Sequence, residues 1–167
     1  MTSDGLSPAL PFDLAALQSY LAGHIPGFHG PVSVTRFKGG QSNPTYLLTT
    51  PGGQYVMRSK PAPVAQLLPS AHAVEREFRL QAALAGSAVP VARMHCLCED
   101  ESVIGRAFYV MDFIEGRIFW EQSLPGMQPE ERCAIYDELN RVIAALHNVD
   151  VEAANLADYG KPGDYFS

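Results

Sequence analysis

The stretch from Val32 to Lys60 constrains the fold more than any other part of this chain. Apolar and polar side chains alternate along it in three short runs, a pattern typical of β-strands with one buried face. Two turns rich in glycine separate the runs, and strands joined by short turns pair in antiparallel fashion. We therefore expect an antiparallel meander with strands over Val32–Phe37, Tyr46–Thr50 and Gln54–Lys60.

The first turn, Lys38–Pro44, combines glycine with small polar side chains. Gly39 and Gly40 lack a Cβ, so their backbone N–H groups can come close to an anion. Ser42 and Asn43 add side-chain donors. This composition suits a phosphate-binding loop, but Gly, Ser, Asn and Pro are also the ordinary residues of a hairpin turn. The turn by itself leaves both interpretations open.

Charged side chains follow on the third strand and on the next predicted helix. Arg58 and Lys60 point to the same face of their strand, because side chains alternate along a strand. A helix is predicted over 71–85, and its Glu77 lies on or beside the apolar face, where a carboxylate needs a partner. The simpler alternatives are that the cations are edge-strand charges that discourage aggregation, and that the helix charges pair among themselves.

The rest of the pattern adds two further strands and two further helices to the meander and its charged helix. Cys96 and Cys98 share one face of a strand, and their spacing matches no common zinc motif. An acidic turn is predicted over 99–102. A helix is predicted over Leu14–Ala22, capped by Asp13 and ended by Gly23. The remaining predicted elements are strands over Val89–Cys98 and Ala107–Ile114, and a helix from Pro129 with an apolar stripe at Ile135, Leu139, Val142, Ile143 and Leu146.

The net charge and the distribution of apolar residues argue against two classes of binding partner, nucleic acids and membranes. The 167 residues carry a formal net charge of −6, which gives no basic footprint for nucleic acid. No apolar stretch approaches the roughly 20 residues that a membrane span needs, and the first residues lack the pattern of a signal peptide. We therefore expect a cytoplasmic protein with neither nucleic acid nor membrane as a partner.

Five motifs follow one another along the chain: Phe37–Tyr46, Tyr55–Arg58, Leu67–Phe78, Phe108–Asp112 with Glu115–Arg117, and Ala144–His147. Together they resemble the aminoglycoside phosphotransferase family, which has a protein-kinase-like fold. Within that family, the chain is most similar to the kinase-like domains associated with acyl-CoA dehydrogenases. The resemblance implies an α+β fold whose small lobe is an antiparallel five-stranded sheet with a packed helix. It also implies an N-terminal helix and linker over 1–30, the small lobe over 31–116 and the first part of a large lobe over 117–167.

The resemblance assigns roles to residues that could contact ATP. Arg58 stands where the family has a lysine that contacts the α- and β-phosphates and pairs with a helix glutamate, here Glu77. Lys60, on the same strand face, is the alternative cation. The glycine-rich loop would cover the nucleotide phosphates through Gly39, Gly40, Gln41, Ser42 and Asn43.

The same resemblance places an adenine-binding hinge after the last strand. Backbone groups of Asp112, Phe113 and Ile114 would bind adenine, with Met111 behind them. The family's His-x-Asp loop and its metal-binding aspartate have no match in this sequence. We therefore expect the nucleotide-side portion of a kinase that acts on a hydroxyl group of a small molecule. Its Mg²⁺ ligands would lie in a missing large-lobe portion, and the chain alone would not catalyse.

The alternative is a binding or assembly module that uses the small-lobe fold without turnover. The apolar stripe on the helix over 129–147 needs a surface to pack against. A homodimer through this face would supply one.

Overall fold

The structure is a computed structural model that describes residues 10–37, 43–61 and 73–160. The described chain divides into two compact units. The first contains the described residues up to Phe78 together with Met94–Phe113, and the second contains Arg79–Arg93 and the described residues from Ile114 onward. Along the chain the elements are α1 (Leu14–His24), β1 (Ser33–Arg36), β2 (Thr45–Thr50), β3 (Gly53–Ser59), α2 (Val74–Leu84), β4 (Met94–Cys98), α3 (Glu101–Ile104), β5 (Phe108–Asp112) and α4 (Pro129–His147).

The first unit is built on a five-stranded sheet with the strand order β1-β2-β3-β5-β4. All neighbouring strands run antiparallel. The register sets Arg58 of β3 opposite Thr45 of β2 on one side and opposite Tyr109 of β5 on the other. Directly opposed residues project from the same face of a sheet, so these three side chains form one row. The predicted α+β class and the three-stranded meander are confirmed.

One face of the sheet packs against α1. Asp13 caps this helix, as predicted, by accepting hydrogen bonds from the backbone N–H groups of Ala15 and Ala16. Leu17 and Leu21 of α1 are fully buried against the sheet. The sheet contributes mainly alternate residues to this core, as the period of a strand requires: Tyr46, Leu48, Met57, Cys96, Cys98, Phe108 and Val110.

The other face of the sheet packs against the first turns of α2. Val74 at the start of the helix is fully buried with Ala107 and Tyr109. Phe78, one turn later, packs against the same cluster. Because Met57 faces α1, its neighbour Arg58 must project toward the α2 face. The predicted alternation along β3 is therefore confirmed, and it brings Arg58 to the helix that carries Glu77.

Several element boundaries differ from the predictions. Helix α1 continues past Gly23 to His24, because the N–H of Ile25 still bonds to the carbonyl of Leu21. The acidic segment predicted as a turn forms the short helix α3, with Asp100 as its cap. Strand β4 begins at Met94 and not at Val89. The predicted start of α2 falls partly outside the described residues, and the helix is observed from Val74.

The second unit contains α4, whose apolar side chains remain largely exposed. The helix begins at Pro129, as predicted, and none of its residues is buried. Leu139, Ile143 and Leu146 are each roughly half exposed. In the described part of the chain, no helix combines the length and the apolar character that crossing a bilayer requires.

Candidate functional site

The candidate site is centred on the carboxylate of Glu77, which projects from α2 over the row formed by Thr45, Arg58 and Tyr109. Arg58 Nε lies 2.7 Å from Glu77 Oε2, and a terminal nitrogen of the guanidinium donates to Oε1 at 3.4 Å. The other terminal nitrogen donates to the hydroxyl of Thr45 at 3.5 Å. The predicted partner of Glu77 is thus a cation on β3, held through two nitrogens of its planar fork.

Two neutral donors complete the surroundings of this carboxylate. The Tyr109 hydroxyl donates to Glu77 Oε2 at 3.1 Å. The side-chain amide of Asn43 donates to Oε1 at 3.0 Å. Within the described residues, Glu77 therefore receives donors from β3, from β5 and from the residue that precedes β2 by two positions. One carboxylate therefore contacts three separate segments of the first unit.

The exposure of the ion pair matters for its strength. The side chains of Arg58 and Glu77 are 32% and 34% exposed. An exposed pair of this kind contributes about 0.2–1 kcal/mol, because water screens the charges and two flexible side chains must be ordered. Networks with several fixed donors are stronger than single pairs. The neutral hydrogen bonds therefore decide how firmly the pair is held.

Lys60, the alternative cation, has a different partner. Its Nζ lies 2.8 Å from Oε1 of Glu75. Burial raises the pKa of the Glu75 carboxyl, but the hydrogen bond from Lys60, a backbone hydrogen bond and the positive charge of Lys60 outweigh this effect and lower the pKa below its ordinary value. Arg58, and not Lys60, meets Glu77. Glu75 pairs with the sheet and not within its own helix.

The glycine-rich loop is only partly placed. Gly39, Gly40, Gln41 and Ser42 lie outside the described residues, so their predicted phosphate contacts stay predictions. Asn43, the last residue of the predicted set, is buried and directs its amide to Glu77.

The predicted hinge follows the end of β5. Met111 packs against the cluster on the α2 face, and Asp112 is the last residue of the strand. Phe113 belongs to the first unit, whereas Ile114 belongs to the second and is exposed. The Asp112 carboxylate lies 2.6 Å from His95 Nε2, and the edge of the Tyr55 ring contacts the His95 ring. Adenine binding by these backbone groups stays a prediction.

Three residues near these sites were not identified from the sequence: Tyr109, Thr45 and His95. Tyr109 had a recognisable signal, since a tyrosine in an otherwise apolar strand needs a partner for its hydroxyl. Thr45 and His95 had no such signal, because their contacts depend on strand register. Among the described residues, no group of three or more His, Cys, Asp and Glu side chains is arranged to hold a metal ion.

A five-stranded antiparallel sheet whose third strand carries a cation paired to a helix glutamate is the architecture of a protein-kinase-like small lobe. The family model described as "Phosphotransferase enzyme family" matches residues 33–167. The chain belongs to this family. The resemblance stated from the sequence motifs is confirmed.

Relatives and solved structures agree with this assignment. Mouse acyl-CoA dehydrogenase family member 10 is 48% identical over 159 residues, which cover 94% of this chain and 14% of that protein. A crystal structure described as an aminoglycoside phosphotransferase of Ralstonia eutropha JMP134 is 61% identical with a TM-score of 0.81, and the match covers 93% of this chain and 44% of that one.

A more distant structure supports the fold alone. It is a thermostable mutant of the aminoglycoside phosphotransferase APH(4)-Ia in a ternary complex with AMP-PNP and hygromycin B, 17% identical with a TM-score of 0.53. The match covers 82% of this chain and 40% of that one. The chain thus spans less than half the length of each relative compared.

Proposed function

We propose that this chain is the nucleotide-binding portion of an ATP-dependent phosphotransferase that transfers a phosphoryl group to a hydroxyl of a small molecule. The observation that carries the proposal is the pairing of Arg58 with Glu77 on the sheet of a kinase-like small lobe. In this fold the strand cation contacts the nucleotide phosphates, and the helix glutamate holds it in place. The related fold that binds AMP-PNP supports the choice of nucleotide.

The geometry of Arg58 is compatible with a phosphate contact. A guanidinium has five N–H donors. One N–H of each terminal nitrogen is used by Thr45 or Glu77, and the Nε–H is buried beside Glu77 Oε2. Within the described residues, two donors are left for phosphate oxygens. About one third of the Arg58 side chain is exposed, so it is open to a ligand in the position in which it pairs with Glu77. Arginine can therefore replace the usual lysine in this role, with a planar fork in place of a point charge.

The glycine-rich loop and the hinge belong to the same proposal. Backbone N–H groups of Gly39 and Gly40 would cover the phosphates, and backbone groups from Asp112 to Ile114 would bind adenine. Mg²⁺ would accompany ATP in the phosphotransferase. The described residues contain no metal-binding cluster, so we assign none of them to the metal.

We further propose that the phosphoryl acceptor and the catalytic groups are bound by parts of the phosphotransferase that are not in this chain, with the domain boundaries at 31–116 and 117–167. Two observations support this. The match covers 44% of the solved relative with 61% identity. In addition, α4 exposes a row of apolar side chains, as a helix does when its packing partner is absent.

The proposal is tested by titrating the full chain with Mg-AMP-PNP in a calorimeter. We expect weak binding, and an increase of at least about tenfold in the dissociation constant for Arg58→Met, because a charge-assisted contact is lost. The matched control is Lys60→Met, which removes the other cation of the same strand face and should change the dissociation constant less than about threefold. Absence of binding at millimolar nucleotide by a folded chain would contradict the proposal, as would the opposite order of the two variants.

A second candidate is an assembly module that dimerises through α4. The half-exposed side chains of Leu139, Ile143 and Leu146 favour it. Light scattering on the chain and on an Ile143→Glu variant separates the two functions. A dimer that the substitution converts to a monomer supports assembly, whereas a monomeric parent chain rejects it.

A further inference from the structure

Among the described residues, four contacts converge on the Glu77 carboxylate, and they are divided evenly between its two oxygens. Oε2 receives Arg58 Nε at 2.7 Å and the Tyr109 hydroxyl at 3.1 Å. Oε1 receives the Asn43 amide at 3.0 Å and a terminal nitrogen of Arg58 at 3.4 Å. Each oxygen therefore has a guanidinium nitrogen beside it and accepts a hydrogen bond from one neutral donor. With donors on both oxygens, the carboxylate cannot rotate without losing at least one hydrogen bond.

The charged and neutral donors differ in how firmly they are held. Arg58 is a long side chain, about one third exposed, and long side chains of this type have many rotamers. Tyr109 is 1% exposed and Asn43 is 2% exposed. Tyr109 packs with Val74 and Ala107, so its ring has no freedom to move the hydroxyl. Tyr109 and Asn43 are thus the rigid groups of the site. Their hydrogen bonds fix the position of the Glu77 carboxylate, and the carboxylate in turn positions Arg58.

The two neutral donors lie next to the two other segments that are predicted to bind the nucleotide. Tyr109 lies directly opposite Arg58 in the sheet, in the strand that leads to the hinge. Asn43 follows the glycine-rich segment and precedes β2. A single carboxylate on α2 therefore links the end of that segment, the strand before the hinge and the cation of β3.

We propose that Tyr109 and Asn43 are positioning residues that hold Glu77 in the orientation in which it pairs with Arg58. This inference rests on the proposed function, since the purpose of the positioning is to present Arg58 to the nucleotide phosphates. Neither residue needs to touch the nucleotide through these contacts. Loss of either donor should leave Glu77 and Arg58 in place but loosen their pairing.

The positioning role can be measured without nucleotide. Exchange of the two terminal nitrogens of Arg58 by rotation about the Nε–Cζ bond, followed by NMR on the full chain, reports how long the terminal N–H stays bonded to Glu77 Oε1. We expect Tyr109→Phe and Asn43→Ala each to accelerate the exchange about threefold to tenfold, the effect of losing one hydrogen bond. The matched control is Tyr46→Phe, which removes a buried tyrosine hydroxyl on the opposite face of the sheet. If Tyr109→Phe accelerates the exchange no more than Tyr46→Phe does, the inference is overturned.

A second measurement asks whether Tyr109 acts through Glu77. The dissociation constant for Mg-AMP-PNP is measured for Tyr109→Phe, Glu77→Gln and the double variant. We expect Tyr109→Phe to weaken binding about threefold to tenfold in the parent chain and less than about twofold when Glu77 is already replaced. Independent, multiplicative effects would overturn the inference. If no variant and no parent chain binds nucleotide while the Arg58 exchange still responds, the positioning role stands and the proposed nucleotide function fails.

Discussion

Lys60 Nζ lies 2.8 Å from Glu75 Oε1, so the second cation of the β3 face is paired with a different carboxylate from the first. Arg58 and Lys60 are two positions apart along one strand face, and their partners Glu75 and Glu77 are two positions apart in α2. The four charges form two separate pairs between the sheet and the helix. Lys60 therefore links the end of β3 to α2, and Arg58 remains the cation that we propose to contact phosphate.

Lys60→Met should lower the free energy of unfolding at neutral pH by less than about 1 kcal/mol, since the pair is partly exposed. The folded-state pKa of Glu75 lies below its ordinary value of 4.5, so the stabilisation is present above that pH and is lost as the pH falls through the folded-state pKa. The difference between parent and variant in urea denaturation should therefore shrink from pH 7 toward pH 3. A difference that grows on acidification would contradict the assignment.

His95→Ala should lower the free energy of unfolding by about 1 kcal/mol, because it removes the hydrogen bond between His95 and Asp112 at the end of β5. The matched control is His29→Ala, which changes an exposed histidine and should stay within about 0.5 kcal/mol of the parent. Both values come from urea denaturation at pH 7. Equal effects of the two substitutions would show that the contact contributes nothing to stability.

Leu17→Ala and Leu139→Ala should lower the free energy of unfolding by very different amounts, although both change a helical leucine. Leu17 is fully buried between α1 and the sheet, so its loss should cost about 2–5 kcal/mol. Leu139 is 50% exposed, and its replacement should cost less than about 1 kcal/mol. Thermal or urea denaturation of the two variants measures this. A large cost for Leu139→Ala would mean that α4 buries this face, for example in a dimer.

Only one of the three cysteines should react quickly with Ellman's reagent at pH 8. Cys133 is exposed, whereas Cys96 and Cys98 are buried in the core beneath α1. Burial, followed by the charge of neighbouring Cys98, raises the pKa of the Cys96 thiol to about 12, so almost no reactive thiolate is present at that pH. Cys133→Ser should abolish the fast phase. Fast reaction of a second thiol in that variant would indicate that the core opens.

Much of the fold could be predicted because its signals are local. Alternation over residues 32–60 predicts strands, and the cap at Asp13 and the proline at Pro129 predict where two helices begin. The ends of elements were predicted less well. Gly23 does not end α1, since a helix can pass through a glycine when the following backbone hydrogen bond is still formed.

The candidate site was predicted in part. The alternation of β3 already brings Arg58 to the α2 face, and the helical period brings Glu77 to the sheet. The contributions of Tyr109, Thr45 and His95 could not be obtained in this way. Each depends on which residue of a neighbouring strand lies opposite, and register is set by the packing of the whole sheet.

The sequence by itself determined the strands, the longer helices and the family. It also placed two cations on one strand face and Glu77 on or beside the apolar face of the next helix. The tertiary structure alone decided that Arg58 pairs with Glu77 and Lys60 with Glu75, and that Tyr109 and Asn43 complete the surroundings of Glu77. The physical reason is that side-chain direction follows from a local period, whereas the choice among several nearby charges depends on distances of a few ångströms. Those distances are fixed only when the helix and the sheet pack together.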